Sequence, residues 1–154
     1  MKPLIVLLLA FLISLFLIRM SSGTYYPAFA GRIALSVMLL FTAIAHFMFP
    51  VGMNLMLPAF IPYKTAMVYL TGIIEIAAAI GLFNPALSTV VAWLLILFFI
   101  LVLPVNIYAA IKHIDYQKGT ADGNGLTYLW FRIPLQILFI VWTYLSVIKG
   151  GWWA

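Results

Sequence analysis

Residues 69–83, YLTGIIEIAAAIGLF, carry one acid in an otherwise apolar or small run, and the chain has only three acids in all. A carboxylate in such a place can pair with a cation, accept hydrogen bonds or exchange a proton. Each of these requires a partner inside the protein, because a charge within hydrocarbon costs several kcal/mol. Four other strongly polar residues stand in apolar surroundings: His46, Asn106, Arg132 and Gln136. Arg132 is the cation placed deeply enough to reach Glu75, and Arg132 and Gln136 share a helix face at i, i+4. Thr71 and Ala79 share the face of Glu75, while Ala77 and Gly81 form a small-xxx-small pair beside it. Imidazole chemistry suits His46 to proton exchange near neutral pH. Its bland alternative is a hydrogen bond to a carbonyl or a reach toward the interface. For Asn106 and Gln136 the alternative to ligand contact is plain interhelical hydrogen bonding. For Glu75 with Arg132 it is a structural ion pair that fixes helix register.

The elements that must position these groups are membrane helices. Of 154 residues, 67% are hydrophobic and 7% charged, and the mean hydropathy is +1.21. A soluble domain carries roughly a quarter charged residues, so the lipid bilayer is the solvent and first partner. Apolar runs over 4–18, 33–49, 66–83, 89–111 and 126–148 are continuous rather than alternating, which excludes barrel strands. The fold class is therefore all-α, a polytopic transmembrane bundle with a four-helix core plus one N-terminal helix. Residues 1–30 read as an anchor helix and linker, and residues 31–154 as the bundle. The first run is short and has a signal-peptide alternative, but no small-x-small site precedes Ser21, so a retained anchor is expected.

The connections differ in kind. Asn84-Pro85 predicts a tight turn and an antiparallel pair. Residues 49–64, FPVGMNLMLPAFIPYK, contain three prolines. They are too broken for one helix and too oily for a free loop, which predicts an interfacial flap, either a plain loop or a lid over a lateral entrance. Residues 113–125, HIDYQKGTADGNG, form the one soluble-looking loop.

Side A is the face of the N-terminus, the flap and the 113–125 loop. It carries Lys2, Lys64, Lys112 and Lys118, whereas side B carries Arg19, Arg32 and Lys149, a distribution too even to set orientation. These scattered cations read as interface anchors, and the net charge of +5 forms no stripe for nucleic acid. Tyr63, Tyr69, Tyr108 and Tyr128 mark the side A interface; Tyr25, Tyr26, Tyr144, Trp152 and Trp153 mark side B. At ~1.5 Å per residue, His46, Asn106 and Arg132 lie ~5–9 Å from side A and Glu75 and Gln136 ~14–15 Å. The strongly polar residues thus fall in one half of the membrane. Pro104 and Pro134 remove the helical donors of the Ile100 and Trp130 carbonyls beside Asn106 and Arg132. Broken backbone at that depth is tolerated where it lines a cavity or is buried in protein. With no cysteine and two distant histidines, no metal site is expected.

The segments LLFTAIAHFMFP, MLPAFIPYK, VYLTGIIEIAAAIGLF, LPVNIYAA and RIPLQ, in this order from about residue 32 to 148, resemble the DoxX-like integral membrane proteins. The resemblance implies a four-helix bundle over the second to fifth helices, with the first as an addition. It also implies a small subunit of a redox-linked system in the bacterial inner (cytoplasmic) membrane. Relatives of that family include subunits of a thiosulfate:quinone oxidoreductase and of an oxidative-stress complex. His46, Glu75, Asn106, Arg132 and Gln136 carry over as a polar pocket for a quinone or another lipid-soluble molecule, with no covalent cofactor. Association with itself or with other membrane subunits is expected. The absence of cysteine argues against thiol chemistry in this chain. The rival class is a non-catalytic assembly subunit whose pocket is a sealed polar network. A proton-driven transporter is a third, weakened because side B lacks a matching polar path for alternating access.

Overall fold

A computed structural model describes residues 2–150; Trp152 and Trp153, expected in the side B belt, lie outside the described residues. The elements are α1 (Lys2–Ser22), α2 (Pro27–Met48), α3 (Pro50–Met56), α4 (Lys64–Gly81), α5 (Ser88–Ile111) and α6 (Leu129–Thr143). A 3₁₀ turn over Gly125–Tyr128 leads into α6, and a π-helical stretch over Tyr144–Lys149 prolongs it. Five elements are long and apolar enough to cross a membrane: α1, α2, α4, α5 and the joined Gly125–Lys149 segment. The protein is an all-α membrane bundle. Among the described residues the sole extended pairing is one bridge between Asp115 and Thr120.

The helix ends follow local chemistry. Pro27, with its φ already helical and no N–H to waste, starts α2 six residues before the apolar run at 33–49. In the 49–64 stretch Pro50 opens the short α3, and the chain leaves helical geometry at Leu57, one residue before Pro58. The turn at Asn84 forms as expected, with Asn84 Oδ1 accepting the Ala86 amide at 3.0 Å.

α2 is the central helix: 50% of its apolar window is buried, against 28% for α4, α5 and the last segment and 6% for α1. Leu35, Met38 and Leu39 of α2 meet Ala78 and Ala79 of α4, Leu95 and Phe99 of α5, and Phe139 of α6. α1 adds Leu7 to this core and sets Phe11 edge-on against Trp142 at 5.1 Å. α4 lays its length on α2, and α6 lies mainly on α5. The turn at Asn84 therefore joins two helices whose principal neighbours are different.

Candidate functional site

α2 and α4 approach closely at Gly72, where an added Cβ would stand 2.9 Å from His46 Cβ. The missing side chain lets the imidazole lie across the face of α4. His46 Nδ1 is 3.1 Å from Thr71 Oγ1, and His46 Nε2 is 3.6 Å from Glu75 Oε1. Thr71 and Glu75 present both groups because they are one helical turn apart on α4. Glu75 is 6% exposed, and its Oε2 is buried with no hydrogen-bond partner.

This geometry constrains the protons. Thr71 has one hydroxyl hydrogen, and its shorter contact, 2.7 Å, is to the Val68 carbonyl, which can only accept. That contact assigns a proton to His46 Nδ1, which donates to Thr71 Oγ1. A neutral imidazole protonated there has a bare Nε2. A proton taken up between the facing atoms has two places to sit, on Nε2 opposite a carboxylate or on the Glu75 carboxyl opposite a neutral ring. The arrangement can store, accept or release a proton.

A second polar group lies between α5 and α6. Arg132 Nη1 donates to Asn106 Oδ1, and the guanidinium covers the Tyr128 ring at 4.9 Å. One turn along, Gln136 Nε2 donates to the Phe99 carbonyl at 2.7 Å. Phe99 immediately precedes Ile100, whose helical donor is removed by Pro104. The weakened stretch of α5 is thus held by an amide from α6. Asn106 and Gln136 are both buried.

The structure corrects the pairing expected for Glu75. Among the described residues its ion-pair partner is His46, not Arg132. The five polar residues form two groups on two helix interfaces rather than one pocket, because α4 faces α2 while α6 faces α5. Arg32 is also misplaced as an interface anchor: it is the largest fully buried side chain among the described residues. Ser36, Ser88, Thr143 and Ser146 are buried as well, toward side B, but they are small hydroxyls and do not continue the strongly polar groups of the side A half. The hydroxyls of Thr143 and Ser146 return to the Phe139 and Trp142 carbonyls of their own helix, while Trp142 Nε1 reaches the Gly31 carbonyl at 3.0 Å.

Two site neighbours escaped the sequence reading. Tyr128, expected in the side A belt, precedes Arg132 by four, the spacing that links the two. Tyr116 had no such signal. It is brought in by α3: Gly52 sits so close that an added Cβ would stand 1.9 Å from the Tyr116 carbonyl oxygen, and Phe49 meets the Tyr116 ring edge-on at 6.2 Å. Burial pushes the Tyr116 phenol above its ordinary range, and the Arg132 charge partly opposes this. The flap and the 113–125 loop thus enclose a cleft of about 220 Å³ bounded by Met48, Phe49, Tyr116 and Lys118. Among the described residues no three His, Cys, Asp or Glu side chains gather as metal ligands.

A sequence profile for a family described as a domain of unknown function, DUF8561, matches residues 35–147. The chain belongs to that family. No curated protein and no solved structure matches it. In this DUF8561 protein the matched region runs from within α2 to the π-helical turn, so both polar groups lie inside the family domain and α1 lies before it.

Proposed function

We propose that this protein is a membrane-embedded subunit of a redox-linked system, in which the His46–Glu75 pair exchanges a proton with a lipid-soluble ligand of the quinone class. The observation that carries the reading is the Glu75 carboxyl, buried beside an imidazole with Oε2 unpartnered. A buried acceptor without a donor is costly, and a ligand hydroxyl would supply one. Reduction of a quinone takes two electrons and two protons. The electrons would come from a partner redox subunit, and the protons would pass through His46 and Glu75. Arg132 and Gln136 have no part in holding this ligand, since they lie at the α5–α6 interface and not beside the proton pair of α2–α4. The resemblance to DoxX-like proteins supports the redox setting and the bacterial cytoplasmic membrane by analogy.

The test is purification in mild detergent with mass spectrometry of co-purifying quinones and subunits, followed by turnover of the assembly. Glu75→Gln should still insert and assemble but lose quinone-dependent turnover. Unchanged turnover removes the reading.

A second reading, a non-catalytic assembly subunit, is favoured by the Asn106–Arg132 and Gln136–Phe99 bonds, which clamp α5 to α6. Partner subunits recovered without quinone, and a complex that assembles and turns over normally with Glu75→Gln, would select it.

A further inference from the structure

Arg132 carries a charge that no carboxylate among the described residues balances. A guanidinium stays protonated at any accessible pH, and this one stands in the first turn of α6, about two turns inside the side A end of a membrane-spanning segment, within reach of the interface for a long side chain. Its contacts are a neutral amide oxygen on Asn106 and the face of Tyr128. The three acids of the chain are engaged elsewhere. Glu75 faces His46 on the other helix interface. Asp115 accepts the Gln117 amide at 2.9 Å and lies 3.9 Å from the Lys118 ammonium. Asp122 accepts the Thr120 hydroxyl. Among the described residues, no carboxylate pairs with Arg132.

The group is nevertheless oriented. Asn106, 8% exposed, fixes one nitrogen of the fork, and the Tyr128 ring supports its face. A guanidinium has five donors, and its fixed fork matches two oxygens of a phosphate. The surroundings set the level in the membrane. Trp130 is 86% exposed and Leu126 57%, apolar side chains at the start of α6 beside the polar 113–125 loop, as at a lipid–water boundary. The abundant oxyanion at that level is the lipid phosphodiester. Lys112, exposed at the end of α5, adds positive field on the same side.

We propose that Arg132, held by Asn106 and Tyr128, binds the phosphate of a membrane lipid at the side A surface and prefers anionic headgroups to zwitterionic ones. The site lies on α5–α6 and is independent of the proton pair on α2–α4.

The experiment is native mass spectrometry of delipidated protein in mild detergent, titrated with phosphatidylglycerol or phosphatidylcholine of matched acyl chains and, separately, with inorganic phosphate. Wild type should bind phosphatidylglycerol about tenfold more tightly than phosphatidylcholine, and Arg132→Gln should lose that preference. Lys149→Gln, on the opposite side, should keep it. Equal binding of the two lipids by wild type overturns the proposal without recourse to any variant, so a misfolded Arg132→Gln leaves it testable. Equal losses in Arg132→Gln and Lys149→Gln overturn it in favour of diffuse charge. Binding of inorganic phosphate with no preference between the lipids assigns a soluble oxyanion to Arg132 and overturns the lipid source.

Discussion

His46 Nε2 lies 3.6 Å from Glu75 Oε1 across the α2–α4 interface, beyond hydrogen-bond length and within ion-pair range. The two groups should be energetically coupled. Removing one partner of a buried pair costs roughly 3–5 kcal/mol, because the other is left uncompensated. His46→Leu should therefore destabilise the protein by about 3 kcal/mol, and His46→Leu with Glu75→Leu by at least about 1 kcal/mol less than the sum of the single changes. Equilibrium unfolding of the detergent-solubilised protein measures the cycle, and strict additivity would show that the pair does not interact.

Two glycines predict distinguishable defects. Alanine at Gly72 would press on His46 Cβ at 2.9 Å and Phe47 Cε2 at 3.1 Å, parting α2 from α4 at a cost of about 1–3 kcal/mol. Alanine at Gly52 would meet the Tyr116 carbonyl oxygen at 1.9 Å, which cannot yield without moving the loop. Hydrogen exchange should quicken in α3 and the 113–125 loop for Gly52→Ala, and along α2–α4 for Gly72→Ala. The same pattern in both variants would refute separate contacts.

Tyr116 predicts an alkaline limit. Burial raises its phenol above the ordinary value of 10.0, so the unfolded chain releases this proton first. Stability should therefore fall as pH rises from 10.0 through the folded-state value. Tyr116→Phe should remove that part of the alkaline loss. Because Arg132 favours the phenolate, Arg132→Gln should move the Tyr116 transition higher still. Ultraviolet titration of the phenolates, with Tyr116→Phe as reference, follows both effects.

Gln136 predicts a clamp. Gln136→Leu should remove the bond to the Phe99 carbonyl and cost about 0.6–2 kcal/mol. Exchange should quicken around Phe99 and Ile100 in α5 and remain unchanged at His46. Unfolding and exchange measurements together test this, and an unaltered α5 would show that Pro104 needs no support.

Much of the site was legible because depth in a membrane helix is a count of residues. The apolar runs located every spanning element, and the scarcity of acids singled out Glu75. Spacing of four placed Thr71 on its face. The same rule applied to Tyr128 and Arg132 would have linked those two as well. Arg32 was misread because a single cation near a helix end looks alike whether it faces headgroups or the bundle. Tyr116 was missed because its position depends on a contact with Gly52, distant in sequence.

The sequence by itself determined that the chain is helical, that it lies in lipid and that its few polar groups must be satisfied inside. Hydrophobic length and the cost of buried charge require no knowledge of neighbours. Tertiary structure alone decided who satisfies whom. Residue count along a helix leaves open which helices are adjacent and which faces meet. Because α4 packs on α2 and α6 on α5, the Glu75 carboxyl faces an imidazole, while the Arg132 guanidinium rests on an amide and an aromatic ring.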